Sequence, residues 1–581
     1  MLYKFKYANG IDRFIPVELI VDGPFSEKEV IFKLPVWRPG RYELGFFSKN
    51  IRHLKVTDQD GVLKTVEKLD HSSWKVSGVA ASIRISYEYY AGELNGGSCW
   101  RDHDQLFINP IQCAMYVVGR EHEACSVELD IPNDWEVASS LRVINGNTFA
   151  VDDYHELVDT PIIASGSLKH DDFIMDDITF HIWIQGECTP DMGRLKTDIK
   201  NYTRIQLDTM GSFPVNEFHY LIQVRPDKFY HGVEHTKSTV LVLGPGKDLM
   251  EPAMYENLIG VASHELFHVW NVKTIRPAEM LPYDLSKENY SKLGFVYEGV
   301  TTYYGDLFLA RSGFFDLKGY LNQLNMRLQK HMNNYGRLNY SVLESSFDTW
   351  LDGYVLGIPG RKTSIYDEGC LLALCSDLLI RKHSANKRSL DDVMRVLNDE
   401  FAKNNIGYDL TSYFRLIEKM AGTQLMEFYD GYIASPVSYD QLINELLDDV
   451  GLCVKKRPSA NVFERYLGVK VIHNGEGFRV AAIAEAGPAM QDGLLLNDLI
   501  VKIDHQNCKE ILKADQLSSL EGKSVKLVII SNHKRREIEI FPADGMGYYP
   551  FYTIEDQDNV DSEQLSLREK WLTYQPKHIE S

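Results

Sequence analysis

No stretch of this chain reaches the roughly 18 consecutive apolar residues that a membrane-spanning helix needs, so no membrane insertion is expected. Its eight cysteines form no Cys-x-x-Cys pair, which excludes a cysteine zinc knuckle. They read instead as buried thiols in a reducing compartment. Positive charge is in short supply: 62 Lys and Arg face 82 Asp and Glu, a formal net charge of −20. Such a surface repels nucleic acid and anionic membranes, and neither is an expected partner. The first residues, Met1-Leu-Tyr-Lys-Phe-Lys-Tyr-Ala-Asn-Gly, lack an apolar core and a small-residue cleavage site. A cytoplasmic location is therefore expected, although a trimmed secreted or periplasmic form would read the same way. Repeats and low-complexity tracts are missing as well. What remains is an ordinary globular composition, 44% hydrophobic and 25% charged, long enough for several cores.

Periodicity divides the chain. Ile83, Ile85, Tyr87 and Tyr89 alternate with polar residues, as do Val127, Leu129 and Ile131. A period of two marks half-buried strands, so residues 1–165 are expected to form a β domain. Segments 251–270, 297–311, 316–333, 366–382 and 389–403 carry apolar residues at helical spacing. They place a mixed, mostly helical domain at 166–455. After Lys455-Lys-Arg-Pro comes a compact block at 456–545 that closes on the alternating strands Val525–Ile530 and Ile538–Phe541. Residues 546–581 read as a tail packed on the body. The expected class is multidomain α+β.

The chemistry sits in His264-Glu265-Leu266-Phe267-His268, inside an apolar run that reads as helix. Residues four apart share a helix face, so both imidazoles can point at one metal. Ligand distances would be about 2.0–2.1 Å. Glu265, one position past the first histidine, is free to hydrogen-bond the water at the open coordination position. Glu298 follows His268 after 29 residues, in Tyr297-Glu-Gly-Val-Thr-Thr-Tyr-Tyr, which starts a second helix. Two histidines, one glutamate and a water make a catalytic tetrahedral site for one zinc per chain, though cobalt or manganese also suits such ligands. Thr302 and Asp306, one and two turns on, are candidates to orient a ligating histidine. The segment His231-Gly-Val-Glu-His235 fits the inverted motif His-x-x-Glu-His, but Gly232 and the adjoining strand-like run Ser238–Leu243 argue against the helix that motif needs.

These residues resemble the gluzincin metallopeptidases, and within them the glycyl aminopeptidase family, peptidase family M61. The run from His264 to Pro277 is similar to that family's zinc helix, and Leu34-Pro-Val-Trp-Arg-Pro-Gly-Arg-Tyr42 to a hallmark of its β domain. The resemblance covers nearly the whole chain. It implies a β-sandwich-like N-terminal domain, a thermolysin-like catalytic domain and a C-terminal PDZ-like domain. It also implies that Glu234 anchors the substrate's free amine, that Tyr366 in Tyr-Asp-Glu-Gly369 donates to the oxyanion, and that the substrates are peptides with N-terminal glycine or alanine. Glu368 stands where lysine is common in that segment. Tyr466, Leu467 and Gly468 correspond to the loop that captures a peptide C-terminus, unless the domain only packs against the body. Two other readings compete: an endopeptidase of different register that does not use Glu234, and a non-catalytic peptide-binding protein working through its PDZ-like domain.

Overall fold

The computed structural model describes residues 1–7, 12–25, 29–79, 81–508 and 523–573. The first part is built from β-sheets. Seven strands lie in the order Arg142–Asn145, Thr148–Val151, Cys125–Asp130, Leu2–Lys6, Phe14–Asp22, Ser82–Tyr90, Ile51–Asp58. Along Phe14–Asp22 the side chains of Ile15, Val17, Leu19 and Val21 are buried while their neighbours are not. That is the one-face burial an alternating sequence dictates. A four-stranded sheet including Glu29–Lys33 and Ser73–Ser77, and another including Gln105–Ile108 and Ile162–Ser165, complete this part.

A five-stranded sheet opens the middle of the chain. Ile178–Gln185, Glu217–Val224 and Ser238–Gly244 run parallel, with antiparallel edge strands Lys169–Met175 and Phe229–Glu234. Every residue of Ser238–Gly244 is buried, because helices cover one sheet face and Phe107, Ala138 and Ile163 of the N-terminal part cover the other. Met192–Met210 and Pro252–Phe267 lie on the sheet, and Thr301–Arg311, Leu317–Asn333 and Ile365–His383 pack beyond them. The expected helical segments are therefore helical, and the α+β class is met. Among the described residues no helix is long and apolar enough to cross a membrane.

The block after residue 460 has its own core, around Phe463, Leu467, Val480, Ile500, Leu527 and Ile529. The chain then returns to the body. Phe551–Asp556 pairs antiparallel with Leu452–Arg457, and its backbone N–H groups at Tyr552 and Ile554 bond to Gln329 and Asn325 of the Leu317–Asn333 helix. The closing helix Ser562–Leu572 buries Trp571 completely, and its indole N–H donates to the Tyr303 hydroxyl at 2.9 Å.

Candidate active site

The Pro252–Phe267 helix begins with proline at its first turn, where a missing N–H costs nothing, and carries His264 and His268 at its end. Their Nε2 atoms lie 3.0 Å apart. Glu298 sits on a π-helical turn, Phe295–Val300, that leads into the Thr301–Arg311 helix. One of its carboxylate oxygens lies 3.4 Å from His268 Nε2 and 3.9 Å from His264 Nε2. Donors held 2.0–2.1 Å from a tetrahedral zinc stand about 3.3 Å from one another, so these three atoms fit one such ion. The second ring nitrogen of His268 donates to the Asn271 carbonyl at 2.6 Å, which turns Nε2 towards Glu298. Asn271 in turn donates to the Val296 carbonyl and the Thr301 hydroxyl, both at 3.0 Å, and so ties the histidine helix to the Glu298 turn. Burial, then His268 and Arg327, push His264 well below its ordinary pKa, so its imidazole stays neutral. For His268, burial pulls downward, but Glu298 and the carboxylates behind it outweigh this and take it up to about 10. The field that holds a proton there is one that favours a cation.

Glu265 faces Gly232 on the edge strand. A Cβ at Gly232 would lie 2.2 Å from Glu265 Oε1, so the strand approaches only as glycine. Burial raises the Glu265 carboxyl well above the usual range; His268 opposes this, and Glu234 and Glu298 add to it. The same strand ends in Glu234, which is 4% exposed, and among the described residues its Oε1 has no hydrogen-bond partner. Over it lies the Trp37–Tyr42 segment of the N-terminal domain, where a Cβ at Gly40 would stand 2.3 Å from Glu234 Oε2. Arg38 from that segment is buried beside Glu234, and Tyr42 donates to Glu298 Oε1 at 3.1 Å.

The turn after Glu234 is held by Asp159, which accepts from Thr236 and from the Lys273 ammonium at 2.7 Å and lies 3.4 Å from His235. Burial would raise the Asp159 carboxyl, but Lys273 and His235 hold it well below the usual range. Its folded pKa thus lies under the unfolded value of about 3.9, and its stabilisation is present above that pH and lost as pH falls through the folded pKa. Asp159→Asn is expected to cost about 3 kcal/mol at pH 7, read from urea unfolding, with the gap to wild type narrowing below about pH 4. An equal gap at every pH would refute this.

Tyr366 opens the Ile365–His383 helix and shares a hydrogen bond with Tyr354. Burial, then Glu298 and Tyr354, raise Tyr366 well above its ordinary pKa, so the phenol keeps its proton. The cleft that unites these groups has a volume of about 590 Å³ and is lined by His264, Glu265, Tyr366, Tyr354, Gly40 and Tyr230, among others.

Other expected residues fall differently. His231–Glu234 is strand rather than helix, so the inverted motif does not form. Thr302 does not orient a histidine: its hydroxyl donates to the Glu298 carbonyl at 2.8 Å. Asp306 faces Arg327 at 3.7 Å. Glu368 points away from the cleft into a buried pair with His331 Nδ1 at 2.6 Å, and Tyr439 N–H donates to the other ring nitrogen. Tyr466 and Leu467 belong to the core of the C-terminal block, and the Gly468 N–H is given to the Phe463 carbonyl. That N–H is therefore not free for a peptide carboxylate. Tyr42, Tyr354, Arg38 and Asn271 carried no signal of their own in the sequence, although three of them lie in the two runs that resemble a known family. All eight cysteines are free thiols. A second histidine group, His181, Glu217 and His219, lies on the sheet face that the N-terminal part covers. There the two rings stack at 4.4 Å and 24°, which does not aim both lone pairs at one point.

The sequence matches the Peptidase M61 N-terminal domain over residues 2–166, the M61 glycyl aminopeptidase domain over 257–372 and a PDZ domain over 465–541. The chain thus carries two segments that match domains of peptidase family M61. It is a metallopeptidase, and its block after residue 460 is a PDZ domain. An aminopeptidase N family protein from Idiomarina loihiensis superposes with a TM-score of 0.91 at 26% identity, covering 99% of this chain and 100% of that one. An M1 zinc metallopeptidase from Deinococcus radiodurans reaches a TM-score of 0.47 at 11% identity over 75% of this chain and 93% of its own, too distant to carry an argument. No curated protein matches the sequence significantly.

Proposed function

We propose that this M61 enzyme is an aminopeptidase that removes the first residue, glycine or alanine, from peptides with a free N-terminus. Glu234 carries the reading: a buried carboxylate with one oxygen unpartnered among the described residues, and within 4.8 Å of Glu265 and His268, suits an ammonium. Gly40 of the Arg38–Tyr42 segment closes over Glu234, which supports removal of a single residue. The M61 description, glycyl aminopeptidase, supports the same preference.

One zinc held by His264, His268 and Glu298 would supply Lewis acidity to the scissile carbonyl and to the attacking water. Glu265 takes the proton of that water and passes it to the leaving amine, and its raised pKa makes it a stronger base than an exposed carboxylate. The Tyr366 hydroxyl donates a hydrogen bond to the carbonyl oxygen as charge develops there. Glu234 fixes the register by pairing with the substrate amine.

Glycyl and alanyl peptides with free and N-acetylated ends test this. The wild-type enzyme is expected to reject the acetylated forms. Glu234→Ala should lose about 100-fold or more in kcat/KM on free peptides and most of its discrimination, the loss of a charge-assisted, buried contact. An enzyme that cleaves acetylated peptides internally as well as free ones would be an endopeptidase, and the reading would fall.

A further inference from the structure

The amine-binding end of the cleft has a counterpart at its other end. A peptide whose ammonium meets Glu234 and whose backbone pairs antiparallel with the edge strand runs from Glu234 past Gly232 towards Tyr230. At about 3.3 Å per residue, that four-residue step spans about 13 Å, the length of three or four substrate residues. Tyr230 lies in the electrostatic reach of Glu265, Arg327 and Asp306, and His264 also feels Arg327. Arg38, by contrast, lies beside Glu234. Arg327 shares the cleft lining with Tyr230 and His264, whereas Arg38 reaches His231 at 3.5 Å.

Arg327 and Lys330 are one helical turn apart on Leu317–Asn333 and both line the cleft. Asp367, the residue after Tyr366, holds both: its Oδ1 accepts from Arg327 at 3.0 Å and from Lys330 at 3.3 Å. Asp306 stands 3.7 Å from the same guanidinium. A guanidinium has five N–H groups and an ammonium three, and the aspartates occupy only part of them. Lys330 keeps half of its side chain in solvent. Beneath, the Leu317–Asn333 helix is fixed by the returning strand through Asn325 and Gln329. Two cations are therefore set on a rigid support within the cleft lining.

Resting on the aminopeptidase reading, we propose that Arg327 and Lys330 form a subsite for the substrate's C-terminal carboxylate, so that the enzyme is selective for free peptides of about three or four residues. An unpartnered carboxylate oxygen at one end and two cations at the other measure the peptide's length.

The test uses the zinc-loaded, full-length enzyme with Gly-Ala-Ala, Gly-Ala-Ala-amide and Gly-Ala-Glu-amide. For wild type, kcat/KM on the free acid should exceed that on the plain amide about tenfold, mostly through KM. Lys330→Gln, an exposed substitution that leaves the fold intact, should bring the ratio down several-fold, and Arg327→Gln should bring it near one. The same peptides are titrated calorimetrically into Glu265→Gln, where a tighter free acid reads the subsite whether or not the aminopeptidase reading survives. Equal wild-type values for acid and amide, or a Lys330→Gln enzyme with the full ratio, would overturn the proposal. So would a glutamyl amide that binds as well as the free acid, since the subsite would then read side chains.

Discussion

Glu265→Gln is expected to keep its metal and its fold while kcat on a glycyl anilide falls about 10³- to 10⁴-fold. The amide is isosteric with the carboxylate and is not one of the three convergent donor atoms, so binding of the ion is preserved. What disappears is the proton acceptor, and general-base catalysis is worth up to about 10⁴-fold. The position has little tolerance. A Cβ on Gly232 of the edge strand would come within 3 Å of both Glu265 and Val261, so Gly232→Ala should push the carboxylate aside. Metal content by mass spectrometry and single-turnover kinetics give the answer. A variant with wild-type turnover would remove Glu265 from the chemistry, and one without metal would make it a structural residue instead.

Removing the metal should abolish turnover altogether, and zinc should restore it. The gradation among the residues that hold it is the sharper prediction. Glu298→Ala deletes one of three donors and should leave the protein without stoichiometric metal after dialysis. Tyr42→Phe keeps every donor and loses only the 3.1 Å hydrogen bond to Glu298, so metal should bind about 10- to 100-fold more weakly. Competition with a chromophoric chelator measures this without any substrate. If Tyr42→Phe binds metal as tightly as wild type, the N-terminal domain has no part in holding the centre.

Not all of this geometry was open to reading from the chain. His264, Glu265 and His268 lie within five residues of one helix, and helix geometry alone decides that two of them share a face. Glu298 was legible because its own segment reads as helix start, although its side chain meets the histidines only through the Asn271 cross-link. Thr302 was misread because helical phase gives a direction but not a partner, and its hydroxyl found the carbonyl one turn back. Glu368 looked like a perturbation of the site; helical rotation instead carries it to His331, a residue whose proximity no spacing announces. The PDZ loop shows the same limit, since its Gly468 N–H is spent inside the block itself.

By itself, then, the sequence determined the elements and the chemistry carried on one element: the β alternation, the helices, the metal-binding pair and its neighbouring base. These depend on periods of two and 3.6 residues, which are local and survive without the rest of the molecule. Only the tertiary structure decided which end of the cleft is closed. Tyr42 reaches Glu298 across 256 residues, Gly40 covers Glu234 and Lys273 meets Asp159 across 114, and Asp367 gathers Arg327 and Lys330 from another helix. Such contacts follow from how whole domains bury their apolar faces against each other, and no local pattern encodes the register in which two faces meet.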